Sequence, residues 1–125
     1  MKDPRAALAA VAEALRPLHK SLIDVTAAAY EKERGRIGGP SALFHLLVHD
    51  PYFAWLRPMS GLMAEIDEAL DEAEKPVDSA HFRSRIEDLI TEGGHQFSQR
   101  YLEVLQNEPD VVMAHAALRR ALGNL

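Results

Sequence analysis

One pattern restricts this chain more than any other. Leu8, Val11, Leu15, Leu18, Leu22, Val25 and Ala29 recur in steps of three and four. That spacing lines up one face of an α-helix and scatters across both faces of a strand. The rhythm returns in Leu56, Met59, Met63, Ile66, Leu70 and Ala73, with Trp55, Leu62 and Ala69 flanking. It returns again in Phe82, Ile86, Leu89, Ile90, Gly93, Phe97, Tyr101 and Val104, and in Val111, His115, Leu118, Leu122 and Leu125. No stretch shows convincing strand alternation. Each seam must be covered by another helix, so the expected fold is all-α: an antiparallel four-helix bundle.

Caps and breakers set the expected boundaries. Asp3-Pro4 starts helix 1, which ends near Gly35, and 36–39 is a loop. Pro40 opens a short extra helix over 41–49, and Asp50-Pro51 stops it and starts helix 2, expected to run to about Glu74. Asp78 or Ser79 caps helix 3, expected to continue past Gly93-Gly94, where a bend or a close helix approach is anticipated. Asn107 to Asp110 makes the turn into helix 4. Pro17 and Pro58 lie early in two long seams, and Leu15-Arg16-Pro17-Leu18 parallels Leu56-Arg57-Pro58-Met59. A matched pair of Pro-kinked helices is expected, the first bent near Glu13.

A chain of 125 residues forms one domain, 1–125, with room for a real core. It has no Cys, which removes disulfides, thiolate metal sites and Cys nucleophiles and fits a reducing compartment. The net charge of -5, from 19 acidic and 14 basic residues, argues against general nucleic-acid binding. No apolar run approaches the roughly 20 residues that span a membrane. The Ala-rich start is interrupted by Glu13 and Arg16, so it does not read as an export signal. A cytoplasmic protein is expected.

The stretch from Gly38 to Met63 is where a site is expected. Its short helix is apolar nearly all round, through Leu43, Phe44, Leu46, Leu47 and Val48, and such a helix is buried or covered by a partner. Tyr52, Trp55 and Met59 follow, giving large, adaptable apolar contact as core, pocket wall or partner surface. His45 and His49 are four apart on one helix edge, a two-ligand clip for zinc that needs further ligands, with Asp50 adjacent and His19 the best third. Arg16 and Arg57 each precede a Pro and could bond a freed carbonyl, a carboxylate or a ligand anion.

Several chemistries do not fit. A ferritin-like site needs two Glu-x-x-His pairs, and only Glu92 and His95 make one, on the polar face of helix 3 with His81, Arg85, Asp88 and Gln99. No HExxH, Ser/His/Asp arrangement or Gly-rich phosphate loop stands out. His115 is the one His within an apolar seam. It reads as a core His with a hydrogen-bond partner, since a haem would need a large cavity. The acidic run Glu65, Asp67, Glu68, Asp71, Glu72 and Glu74 reads as a solvated face.

The segments LRPLHKSLID, HDPYFAWLRPMSGL and EPDVVMAHAALRRAL resemble those of a family of small bacterial all-helical proteins. The resemblance spans most of the chain. It implies one helical domain and a bacterial source, and carries no activity, cofactor or functional residue. The residues together point to a non-enzymatic interaction protein. It is expected to self-associate as a homodimer, or to bind another protein, through Tyr52, Trp55 and Met59. The alternative is a sensor of a small ligand, metal or haem, with a pocket between helix 1 and the 41–63 corner lined by His19, His45, His49 and Arg57.

Overall fold

The computed structural model describes residues 3–91 and 95–125, and these are all-helical. Helix α1 is Pro4–Arg34. The Asp3 carboxylate accepts the backbone N–H groups of Arg5 and Ala6, two of the donors a helix start leaves unpaired. The helix stops at Gly35, whose φ of 97° suits only glycine, and whose N–H returns to the Glu31 carbonyl. Gly38 and Gly39 also have positive φ, and the Ile37 N–H ties this loop back to the Glu31 carboxylate.

Helix α2 (Pro40–His49) follows, then a 3-10 helix (Pro51–Leu56) and helix α3 (Arg57–Asp71). The single helix expected from Pro51 to Glu74 is therefore two segments and ends earlier. Pro58 is the reason. It lacks the N–H that would reach the Ala54 carbonyl, and its ring crowds that oxygen. The Arg57 N–H takes the Ala54 carbonyl instead, a tighter three-residue step. Pro58 thus sits in the first turn of α3, while Pro17 lies inside α1, which continues past it.

The expected third helix is also divided, into α4 (Ser79–Ile90) and α5 (Gln96–Asn107). Thr91 and His95 both have extended backbone, so the helix does not run through. Glu92, Gly93 and Gly94 lie outside the described residues. His95 Nε2–H donates to the Asp88 carbonyl at 2.7 Å, closing an open acceptor in the last turn of α4. Helix α6 is Pro109–Leu122.

The core gathers around α1. Leu8, Val11, Leu15, Leu18 and Leu22 are fully buried, against Val111, Leu118 and Leu122 of α6 and Met59, Leu62 and Ile66 of α3, in one cluster with Phe53, Ile86, Ile90, Phe97 and Tyr101. Farther along α1 the inward residue is Thr26, whose hydroxyl donates to the Leu22 carbonyl at 2.7 Å, while Ala29 is exposed. In α3, Leu62 is central and Met63 only half-buried, so the expected seam and flank exchange places. The Arg5 guanidinium, near the start of α1, donates to the carbonyls of Ala69, Leu70, Glu72 and Lys75 where α3 ends. His19, midway along α1, meets Ser60 near the start of α3.

Candidate binding groove

Helix α2 is the anomaly of the fold. Its ten residues, PSALFHLLVH, are mostly apolar, yet none is buried. Leu43, Leu46 and Leu47 are half-covered, and Phe44 and Val48 stand 68% and 46% exposed. The packing of α2 is chiefly on the 3-10 helix that follows it. Arg57 fixes its C-terminal end, donating from Nη2 to the Val48 carbonyl at 2.9 Å.

Phe44, Leu47 and Val48 share one face of α2 by the three-and-four rule. They form one wall of a cavity of about 480 Å³, completed by Phe53, Leu56, Arg57, Ser60 and His19. The cavity lies between α1 and the 41–63 corner, and of the four residues named from sequence for a pocket there, His19 and Arg57 line it. His45 and His49 do not line it. They are exposed on another edge of α2 with ring centroids 4.7 Å apart, and His45 borders a separate crevice with Tyr30, Arg36 and Ile37. The clip and His19 are therefore not brought together. Among the described residues, no group of three or more His, Asp or Glu side chains is gathered in a way that could hold a metal ion.

At the polar side of the cavity, His19 Nε2 lies 2.9 Å from Ser60 Oγ. Burial lowers the His19 pKa below the ordinary histidine value, so the ring is neutral at pH 7. The contact pairs an imidazole with a hydroxyl, as a base and its nucleophile would be paired, but the Ser60 hydroxyl also lies 3.4 Å from the Leu56 carbonyl, and sequence spacing could not show the pair because the partners are 41 residues apart. A working pair also needs a third group that orients the base. Among the described residues His19 has no other hydrogen bond, so the pair reads as a satisfied polar wall.

Trp55 and Met59, expected at the binding surface, are built into the chain's own core, 5% and 0% exposed. Their size and apolarity are used internally, and the exposed apolar surface of this corner belongs to Phe44 and Val48. Trp55 packs on Phe97 at 5.5 Å between ring centroids, with the Arg100 guanidinium 4.7 Å from its ring centre. Tyr52 is half-buried, edge-on to Tyr30 at 5.4 Å, with Arg34 over both rings. Arg16 is exposed and makes no hydrogen bond or ion pair among the described residues.

His115, half-buried in α6, lies 2.7 Å through Nδ1 from the hydroxyl of fully buried Tyr101. Burial raises the Tyr101 pKa, so the phenol keeps its proton. Burial and then Arg119 lower the His115 pKa, against a smaller opposing effect of Glu87. A neutral imidazole accepting the phenol proton at Nδ1 carries its own hydrogen on Nε2. Nδ1 is thus already engaged within the core. The acidic face of α3 is solvent-exposed, with Glu65 paired to Arg85 at 2.6 Å. No helix among the described residues is long and apolar enough to cross a membrane. No protein-family model, curated protein or solved structure matches the chain.

Proposed function

We propose that this is a non-enzymatic, cytoplasmic interaction protein that self-associates as a homodimer through the Phe44–Leu47–Val48 face of α2. One observation carries the reading: α2 is apolar on most of its circumference, and none of its residues is buried in the monomer. A helix of that composition is stable in water when something covers it. The other exposed apolar pair, Val112 and Met113, sits on α6, which buries a full stripe of its own through Val111, Ala114, Leu118 and Leu122. Helix α2 has no such stripe.

The partner is a second copy of the chain. A two-fold interface joins the same patch on both subunits, so the patch must complement itself. Here a protruding aromatic ring, Phe44, stands beside an apolar recess walled by Leu47, Val48, Phe53 and Leu56. Each Phe44 would enter the other subunit's recess. The scaffold behind α2 is read as an antiparallel bundle with α1 kinked by Pro17 near Glu13. Arg5 at the far end of α3 and His19 beside Ser60 support the opposed directions of α1 and α3.

Native mass spectrometry and sedimentation equilibrium on untagged protein test the reading. A wild-type dimer is expected, together with a monomeric Phe44→Asp variant of unchanged helicity. A wild-type chain that stays monomeric at high micromolar concentration, or a Phe44→Asp variant that still dimerises, overturns the proposal.

A further inference from the structure

Arg57 is an unusual neighbour for an apolar cavity. Of the eight lining residues none is a carboxylate, and His19 is neutral, so Arg57 is the sole full charge among them. It makes no ion pair among the described residues, and its one hydrogen bond, to the Val48 carbonyl, leaves most of its N–H donors available. The nearest acids in sequence are engaged elsewhere: Asp50 accepts the Tyr52 N–H at 2.8 Å, and Glu65 pairs with Arg85. In a chain with a net charge of -5, an uncompensated guanidinium at the edge of an apolar recess favours an anion there.

The remaining walls say what the anion is attached to. Phe44, Leu47, Val48, Phe53 and Leu56 present only carbon, and the one polar pair, His19 and Ser60, is bonded to itself. A recess of about 480 Å³ is of the size that holds a small molecule. A phosphate or a small polar anion would leave those walls wet. We infer that the recess binds a small amphipathic carboxylate, its head on Arg57 and its apolar tail between α2 and the 3-10 helix.

This inference rests on the self-association reading in one respect. The tail would occupy the recess that the other subunit's Phe44 enters, so ligand and second subunit exclude each other. The bound carboxylate favours the monomer by mass action.

Octanoate and 1-octanol, matched in tail and differing in charge, are the probes. Isothermal titration calorimetry on the untagged wild-type chain is expected to show octanoate binding about tenfold or more tighter than octanol, the scale of one charge-assisted contact. In Arg57→Gln, which keeps a side-chain N–H for the Val48 carbonyl, octanoate affinity should fall to that of octanol. Sedimentation of the same wild-type samples should show dimer lost as octanoate is added. Equal affinity for the two probes overturns the anion assignment, and binding of neither overturns the site. A wild-type chain that is monomeric throughout yet binds octanoate through Arg57 sinks the self-association reading and leaves the ligand site standing. A dimer that persists at saturating octanoate overturns the mutual exclusion.

Discussion

Helix C-termini leave carbonyls without partners, and in this chain cationic or ring N–H groups from elsewhere meet them. Arg5 serves the end of α3, Arg57 the end of α2, Arg83 the end of α6 through Leu122, and His95 the last turn of α4. A positive group there also suits the helix dipole. Arg5 meets four carbonyls and is half-buried. Arg5→Ala is expected to cost about 2 kcal/mol in urea unfolding, within the range for charged hydrogen bonds. A loss below about 0.5 kcal/mol would mean that the contacts are idle. A second residue-scale prediction concerns acid. The folded-state pKa values of His19 and His115 are both lowered by burial. Below about pH 6.5 the unfolded chain takes up protons that the folded chain resists. These two histidines therefore contribute stability that is present above that pH and lost as pH falls through their lowered folded values. The melting temperature should be lower at pH 5 than at pH 7.5. The drop should shrink in His115→Gln, whose amide oxygen can still accept from Tyr101. A drop of the same size in both proteins would remove His115 as a cause.

At the scale of elements, the two prolines that look alike in sequence play different parts. Pro17 sits exposed inside α1, where it removes a helix hydrogen bond, whereas Pro58 occupies the first turn of α3, where its missing N–H has no helical role. Pro17→Ala is expected to stabilise by on the order of 1 kcal/mol, the restored bond being partly offset by a freer unfolded chain. Pro58→Ala should be neutral or lose up to about 1 kcal/mol. Thermal unfolding of the two variants checks this, and equal gains for both would contradict the first-turn placement of Pro58. Helix α2 behaves as an outrigger, tethered by a glycine-bearing loop at one end and by Arg57 at the other. Amide hydrogen exchange should therefore be fastest in α2 among the described helices of a monomeric Phe44→Asp variant, and slower there in the wild-type dimer. Strong protection of α2 in the variant would show that it needs no cover.

For the molecule as a whole, the cluster around α1 explains why the long seams could be read without a structure. Leu8, Val11, Leu15, Leu18 and Leu22 have no polar competitor on their face, so their period alone dictates burial. The boundaries at Asp3-Pro4, Asp50-Pro51 and Glu108-Pro109 were legible for a local reason, because a cap and a proline act on the nearest turn only. The break between α4 and α5 was less so. Phe82, Ile86, Leu89 and Ile90 are buried, and so are Phe97 and Tyr101, so the apolar count runs on while the backbone at Thr91 and His95 leaves the helix.

The sequence by itself determined that the chain is helical, that its first helix carries a long apolar seam, and that the corner from Gly38 to Met63 departs from ordinary amphipathic order. All three follow from local spacing, capping and composition. The tertiary structure decided which large side chains of that corner are spent inside. Trp55 and Met59 went to the core and Phe44 and Val48 stayed outside, a division their similar hydrophobicity could not foretell. It also decided which distant residues share a cavity. His19 meets Ser60 across two helices while His45 and His49 look elsewhere, because the packing of α1 on α3, and not distance along the chain, sets which side chains meet.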